Sequence, residues 1–438
     1  MAQTKHPEKN ESLQIAGETG ALPPTVSRLG WKKIALLSTL AASVAAPGML
    51  ASPAHAGDTR RKRPPKRKLM AAPVTTFDFD MGAVEGNLVS PGATMGATPG
   101  GAQDIGYARD RIAAGEVPHP NAFTPEGLFS EHNLPLANQA PCRQRLCVGG
   151  GATPVNLVAQ PEVHHLAQLG FSSNLTANFR RPPLSLVVVV DRSGSMSGKP
   201  LELVRSSLKE VLGHLRPGDK IGIVGYHSTA HVVLPPTPVG QRAAIVKAID
   251  SLHSEGATAL EDGLRLGFSE ARKAAKGFAG TSRVMLFTDE RPNVGNTKAA
   301  GFMHMAHQAS RAGIGLTTIG VATHFGAELA QKVSSVRGGN LFFFPDETRM
   351  QAKFRDEFDT LVTELAYDLN LRVAPAPGMK IAGVYGIPGK AIKWQGNTLE
   401  MTVSTIFLSK RKGAIFVAFA PESGKSLPAR MPTAGASV

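Results

Sequence analysis

Strands and helices alternate along residues 183–365, and this alternation restricts the possible folds more than any other feature of the chain. The run "LSLVVVV" (184–190) is apolar throughout and of strand length, which is typical of a parallel strand covered on both faces. The next segment, "KPLELVRSSLKEVLGHLRPGD" (199–219), places its leucines and valines on one helical face before Pro217 and Gly218 end the helix. We therefore predict a doubly wound, Rossmann-like α/β domain with a mostly parallel sheet and helices on both faces.

One turn between two later strands predicts a departure from a purely parallel sheet. The segment "KIGIVGYHSTAHVVL" (220–234) contains two strands around a short turn at 227–229, which predicts a hairpin with one antiparallel edge strand. Further buried strands are predicted at 282–290, 313–322 and 339–345. Amphipathic helices are predicted at 241–254, 258–275, 297–311, 328–338 and 349–366.

The segments on either side of this domain have a different composition. Residues 57–110 are rich in Gly, Pro, Ala and Thr, which is typical of a low-complexity linker. Residues 366–420 alternate short strands with turn residues, which predicts a small C-terminal antiparallel β region. We divide the chain into a signal peptide (1–56), a basic and Gly/Pro-rich linker (57–110), an accessory segment with weak helical patches (111–182), the α/β domain (183–365), a β-rich segment (366–420) and a flexible tail (421–438).

The first 56 residues contain the parts of a secretory signal. Two lysines precede an apolar stretch at 34–46, a Pro-Gly pair ends that stretch, and "AHA" at 54–56 is a small-residue cleavage site. This predicts export to the periplasm, the cell envelope or the medium, with no transmembrane span in the mature chain. In that setting Cys142 and Cys147 are expected either to close a short disulfide loop or to be two free thiols.

Much of the positive charge of the chain lies in one short block. The formal net charge is +14, and residues 60–68 ("RRKRPPKRK") contain seven basic residues and two prolines without an acid. Because like charges repel and proline disfavours a helix, this block is expected to be a solvated arm. No RNA-recognition, zinc-finger or helix-turn-helix signature accompanies it, so we expect contact with an anionic surface rather than specific nucleic-acid binding.

Two of the predicted strands end in carboxylates. Asp191 follows "VVVV" and precedes Ser193 and Ser195, and Asp289 ends the later strand "VMLFTD". The carboxyl ends of parallel strands meet at one edge of a doubly wound sheet, so these side chains are expected in one crevice. Carboxylates and hydroxyls without a thiol or imidazole suit Mg²⁺, Ca²⁺ or Mn²⁺ rather than zinc or copper. A metal with so few carboxylates keeps an open position that attracts the Asp or Glu of a partner protein.

Three separated motifs resemble the metal-ion-dependent adhesion site of von Willebrand factor A domains. They are "DRSGS" (191–195), "GATAL" (256–260) and "FTDERPN" (287–293), and the resemblance covers about 183–365. In that family the hydroxyls bind the metal directly or through water, and the aspartates act partly through water. By this resemblance the metal ligands are Asp191, Ser193, Ser195, Thr258 and Asp289.

Over a wider span the chain is similar to a bacterial group of exported A-domain proteins, labelled YfbK-like or calcium-activated-chloride-channel homologues. The segments "LRPGDKIGIVGY" (215–226), "VVLPPT" (232–237) and "TDERPNVG" (288–295) have close counterparts in that group. One residue departs from the family pattern, because Glu290 stands where a glycine usually follows the aspartate. Its side chain is expected either to point to solvent or to add a third carboxylate to the site.

The leading hypothesis is a divalent-cation-dependent adhesion or scaffold protein of the cell envelope, and not an enzyme. In this hypothesis the metal binds an acidic residue of an unidentified partner protein. Taken alone, the serines of "DRSGSMSG" (191–198) also suit the N-cap of the following helix. Two other functions stay open: a metal-dependent phosphoryl-transfer or hydrolytic enzyme that uses the same Asp and Ser residues, and an envelope protein anchored by the basic arm. The absence of a placed general base in the sequence argues against the enzyme.

Overall fold

The computed structural model describes residues 76–79, 94–118, 120–136, 141–176, 178–289, 299–321, 332, 335–344 and 346–422. The strands are β1 (Thr76–Phe79), β2 (Thr94–Pro99), β3 (Gly101–Ala102), β4 (Cys147–Pro154), β5 (His165–Thr176), β6 (Leu184–Asp191), β7 (Lys220–Tyr226), β8 (Ala230–Pro238), β9 (Thr281–Thr288), β10 (Ile314–Val321), β11 (Gly339–Phe344), β12 (Glu364–Val373), β13 (Met379–Tyr385), β14 (Ile392–Gln395), β15 (Thr398–Ser409) and β16 (Ala414–Pro421). The helices are α1 (Gly106–Ala113), α2 (Pro125–Ser130), α3 (Lys199–His214), α4 (Arg242–Asp250), α5 (Leu260–Ala275), α6 (Ala299–Arg311) and α7 (Glu347–Leu361).

Several predicted features lie outside the described residues. They are the signal peptide (1–56), the basic block (60–68), Glu290, most of the helix predicted at 328–338 and residues 423–438 of the tail. In the part of the chain that is described, no helix combines the length and the hydropathy that a membrane span requires.

A seven-stranded sheet in the order β3-β11-β10-β9-β6-β7-β8 forms the α/β part. Its neighbouring strands are parallel except β7 and β8, which form the predicted antiparallel hairpin at the edge. All eight residues of β6 are buried, because helices cover both faces of the sheet. Helices α3, α4 and α7 pack on one face, and α5 and α6 pack on the other. The structure confirms the predicted doubly wound sheet with one antiparallel edge strand.

A second sheet of nine strands is built from both ends of the chain. Its path is β1-β12-β15-β2-β5-β16-β13, with β14 paired to β15 and β4 paired to β5. Only β1 and β12 pair in parallel. The antiparallel β region predicted at 366–420 is present, but strands from 76–176 complete it. The sequence predicts these flanks as separate segments, whereas the structure joins them in one sheet into which the α/β part is inserted.

Residues 94–102 differ from the linker that their composition predicts. They form β2 and β3, in which Met95 and Ala97 are buried. Glycine is required by close approach here, since a Cβ on Gly96 would lie 2.1 Å from the carbonyl oxygen of Arg411. These residues therefore form tightly packed strands, although their composition is typical of a flexible linker.

The accessory segment predicted at 111–182 also differs from its weakly helical interpretation. It contains the end of α1, the short helix α2 and the strands β4 and β5. The twelve residues of β5 lie between β2 and β16 in the nine-stranded sheet. The loop before β4 is closed by a disulfide between Cys142 and Cys147, which decides between the two expected cysteine states.

Polar contacts join the two sheets at the amino ends of the parallel strands. Arg283 near the start of β9 is buried, pairs with Glu364 of β12 and donates to Thr317 Oγ1 at 2.8 Å. Gly338, just before β11, donates its N–H to Thr405 Oγ1 of β15 at 2.6 Å. Because these contacts use the amino ends, the carboxyl ends of β6 and β9 lie at the opposite edge of the seven-stranded sheet.

Candidate metal centre

Hydroxyl and carboxylate oxygens meet where β6 and β9 end. The two strands pair in parallel, with Val190 opposite Phe287, so the residues that follow them lie at the same sheet edge. Ser195 Oγ donates to Asp289 Oδ1 at 3.0 Å, and the Oγ atoms of Ser193 and Ser195 are 3.1 Å apart. Helix α3 follows β6 on one face and α6 follows β9 on the other, which is the arrangement that opens a crevice between two strands.

The groups that donate hydrogen bonds to the buried carboxylate of Asp191 are all neutral. Asp191 is 0% exposed, its Oδ1 accepts from Ser193 N–H at 2.9 Å, and its Oδ2 accepts from the hydroxyls of Tyr226 and Thr288, each at 2.9 Å. Burial raises the pKa of Asp191, and these donors offset only part of that rise. These hydrogen bonds therefore solvate the negative charge but do not neutralise it. A cation bound beside such a buried charge would stabilise it.

Thr258 lies on the loop between α4 and α5, and backbone hydrogen bonds join this loop to the turn after β6. Gly194 N–H donates to Gly256 O at 3.1 Å, and Glu255 N–H donates to Arg192 O at 2.6 Å. Thr258 itself is 1% exposed. The three motif loops thus meet at one edge of the sheet, although they are separated by up to about a hundred residues in the sequence.

The serines of the first motif do not cap helix α3. The N-cap position of α3 is Gly198, with φ of 73° and no side-chain cap. Ser193 and Ser195 instead contact each other, and Ser195 donates to Asp289. The N-cap interpretation of this motif is wrong, because the chain makes a 3₁₀ turn at Gly194–Met196 before the helix begins.

The side chains that hold Asp191, those of Tyr226 and Thr288, were not predicted from the sequence. Tyr226 ends β7 directly opposite Asp191 in the strand register and is fully buried. Burial, and then the charge of Asp191, raise the pKa of Tyr226, so its hydroxyl is a hydrogen-bond donor throughout the physiological range. Thr288 ends β9. A polar residue at the last position of a buried strand is the one signal in the sequence that points to either of them.

An oxygen-only donor set of this kind fits a hard divalent cation. Carboxylate and hydroxyl oxygens are ligands of Mg²⁺, Ca²⁺ and Mn²⁺, and none of the described residues gives the buried charge of Asp191 a cationic donor. Across the described ranges, no three His, Cys, Asp or Glu side chains are grouped in a way that could hold a metal. Asp191 and Asp289 are only two carboxylates, and the remaining donors here are hydroxyls.

Comparisons with known proteins match the α/β part to one domain family. Residues 185–357 match the family model of the von Willebrand factor type A domain. The chain is 29% identical over 203 residues to the uncharacterized protein sll0103 of Synechocystis, a match that covers 46% of this chain and 47% of that protein. It is 32% identical over 196 residues to the uncharacterized protein YfbK of Escherichia coli, which covers 44% of this chain and 34% of that protein.

Among solved structures, a von Willebrand factor type A protein from Catenulispora acidiphila is similar at 16% identity and a TM-score of 0.45. The match covers 67% of this chain and 73% of that one. In contrast, the chain spans less than half the length of each of the two curated relatives named above.

Proposed function

We propose that this chain, which carries a von Willebrand factor type A domain at residues 185–357, is a divalent-cation-dependent protein-binding protein of the cell envelope. Domains of this type commonly serve adhesion or protein interaction. The observation that carries the proposal is the buried carboxylate of Asp191, whose donors are all neutral, beside the hydroxyl cluster that reaches Asp289. The proposed ligands are Asp191, Ser193, Ser195, Thr258 and Asp289, and the proposed metal is Mg²⁺, with Ca²⁺ or Mn²⁺ as substitutes.

When bound, such a cation supplies a positive charge with an open coordination position for a carboxylate oxygen of a partner. The chain prepares the site by holding Asp191 in one orientation through Tyr226 and Thr288. Three of the five proposed ligands are uncharged hydroxyls, so the proposed ligand set carries only the negative charges of its two aspartates. Ser195 is exposed, and the crevice is therefore open to an acidic side chain from outside.

We propose binding rather than catalysis for this site. In the alternative enzyme Asp191 is the nucleophile, but its side chain is 0% exposed and both of its oxygens already accept hydrogen bonds. The imidazole of His227 contacts Glu255 at 3.2 Å, while Ser193 Oγ contacts Ser195. The predicted export signal and basic arm support a location in the envelope.

Calorimetric titration of the full chain with Mg²⁺, Mn²⁺, Ca²⁺ and Zn²⁺ tests the proposed metal site. We expect one site that is lost in Asp191→Ala and in Asp289→Ala and weakened in Ser195→Ala. The matched control is Ser197→Ala, an exposed serine two residues further along that is outside the ligand set. Metal affinity that is unchanged in both aspartate variants would contradict the proposal. A pull-down from an envelope extract, with and without EDTA, then tests whether partner binding requires the metal.

A further inference from the structure

Arg192 stands between two of the proposed ligands, Asp191 and Ser193, and joins their turn to the loop that carries the second motif and Thr258. Its side chain is 3% exposed. Its Nε donates to the carbonyl oxygen of His253 at 2.7 Å, and its Nη2 pairs with Glu255 Oε1 at 3.2 Å. Since Ser193 follows Arg192 and Thr258 ends the loop of 253–258, the guanidinium connects the two halves of the proposed metal site.

Two imidazole nitrogens accept hydrogen bonds from the same guanidinium. Arg192 Nη1 lies 2.7 Å from His231 Nε2, and Arg192 Nη2 lies 3.1 Å from His253 Nε2. An arginine side chain has only donors and does not lose its proton in proteins. Both imidazole nitrogens must therefore be unprotonated for these two hydrogen bonds to form. Protonation of either one replaces a hydrogen bond by a contact between two positive charges.

Four charged or titratable groups act on His231 of β8, and they come from three segments of the chain. Arg192 belongs to the turn after β6, and His227 belongs to the turn between β7 and β8, with its ring centroid 5.9 Å from that of His231. His253 and Glu255 belong to the loop before α5, where Glu255 Oε1 lies 3.2 Å from both Arg192 Nη2 and His227 Nε2. With neutral imidazoles this group has one positive and one negative charge. Protonation of His231 adds a second positive charge directly beside Arg192.

We propose that Arg192, His227, His231, His253 and Glu255 form an acid-sensitive latch on the metal site, which holds the loop of Thr258 at neutral pH and releases it in acid. This inference rests on the proposed metal function, because it concerns the regulation of the same site. A latch of this kind makes partner binding strong at neutral pH and weak in an acidified medium, as histidine clusters do at other pH-dependent interfaces.

The direction of the pH dependence follows from the protonation state that the closed latch requires of its imidazoles. Burial, and then the charge of Arg192, lower the pKa of His231 in the folded protein. The closed latch consequently loses stability as the pH falls below the ordinary imidazole pKa of about 6.5. If the His231 imidazole must lose a proton before the latch closes, closure is about tenfold less favourable at pH 5.5 than at pH 7.5.

The test compares the full chain with the double variant His231→Gln/His253→Gln. The glutamine side-chain oxygen can accept from Arg192, and the amide does not titrate. Mn²⁺ affinity is measured by calorimetry at pH 7.5 and 5.5, and we expect the loss in affinity between these values to be at least about tenfold larger in the wild type. The control is His304→Gln on α6, whose imidazole contacts Gln308 at 2.8 Å, and it should lose affinity as the wild type does. Titration of the proposed ligands occurs in all three proteins and cancels in the comparison.

A second measurement follows the latch without any metal. Amide exchange of a peptide covering 253–258 reports the opening of this loop, since Glu255 N–H donates to Arg192 O. At pH 5.5 the wild type should exchange at least about tenfold faster than the double variant, and the difference should vanish at pH 7.5. If both proteins bind metal at pH 7.5 and lose the same affinity between pH 7.5 and 5.5, the latch is overturned. The proposed function is then unaffected. If the wild type binds no metal at pH 7.5, the proposed function fails, and equal exchange rates at pH 5.5 then overturn the latch as well.

Discussion

Asp191 and Asp219 are buried aspartates of the same domain for which the structure predicts opposite effects of substitution by asparagine. They are 0% and 2% exposed, respectively. Asp191 accepts from neutral amide and hydroxyl donors, whereas Asp219 Oδ2 pairs with the buried Arg181 Nη2 at 2.6 Å. The same chemical change therefore removes an uncompensated charge at one position and breaks a buried ion pair at the other.

In the metal-free protein, Asp191→Asn should melt at or above the temperature of the wild type. Burial raises the pKa of Asp191, so this residue stabilises the fold in acid and loses that contribution as the pH rises through its folded pKa. Asparagine has no charge to lose. Its oxygen can accept from Ser193 N–H, while its amide donates to the hydroxyl oxygens of Tyr226 and Thr288.

Asp219→Asn should destabilise the protein strongly. Burial by itself raises the pKa of Asp219, but Arg181 and the backbone N–H groups of Arg216 and Leu184 outweigh it and lower the pKa. This residue therefore contributes stability above its unfolded pKa that is lost as the pH falls. Breaking a buried ion pair costs about 3–5 kcal/mol, and the lower figure applies because Arg181 Nε keeps Asp359 at 2.8 Å. About 3 kcal/mol corresponds to a fall of about 6–12 °C for a domain of this size.

Thermal melting with and without Mg²⁺ at a hundredfold excess over its Kd completes the comparison. The wild type and Asp219→Asn should both gain about 2.7 kcal/mol, or about 5–10 °C, while Asp191→Asn should gain nothing. If metal-free Asp191→Asn melts as far below the wild type as Asp219→Asn does, the charge of Asp191 is compensated after all. An equal gain with Mg²⁺ in Asp191→Asn would refute its role as a ligand.

Two further predictions concern packing and the disulfide. A Cβ on Gly263 of α5 would lie 2.4 Å from Tyr226 Cδ1, so Gly263→Ala should displace the tyrosine that holds Asp191, cost about 1–3 kcal/mol and weaken metal binding. Gly213→Ala in α3, where a Cβ meets no atom within 4 Å, should instead stabilise by up to about 1 kcal/mol, and equal melting temperatures of the two variants would contradict the packing argument. Substitution of Cys142 and Cys147 by serine opens a loop of sequence separation 5 and should cost about 2 kcal/mol in urea unfolding. An unchanged unfolding curve would show that the disulfide does not restrict the unfolded chain.

The α/β part could be predicted because short stretches of its sequence are sufficient to identify its strands and helices. An apolar run such as 184–190 specifies a doubly covered strand, and the amphipathic helices between such strands leave few ways to connect them. Once β6 and β9 are expected to be parallel, the residues that follow them must share an edge, which brings Asp289 toward Ser195 without knowledge of the register. The shared edge therefore follows from patterns within single strands and helices.

The supporting residues could not be predicted, because their roles depend on register and on contacts between distant segments. Tyr226 holds Asp191 only because the two residues are directly opposed in the pairing of β7 with β6. Arg192 meets His231 and His253, which are 39 and 61 residues away in the sequence. Similarly, the glycine-rich stretch of β2 becomes a strand only through its partners β15 and β5, and its own composition does not indicate them.

The insertion of the α/β part into the nine-stranded sheet determines on which side of the molecule the proposed metal site lies. The chain enters the α/β part beside Arg181, which pairs with Asp219 and Asp359, and leaves it at Glu364, which pairs with Arg283. Both junctions are at the amino-end edge of the parallel strands, so the edge that carries Asp191 and Asp289 points away from the second sheet. β1, which pairs with β12, belongs to that second sheet. A partner held at the proposed site is therefore expected on the side of the molecule opposite the second sheet.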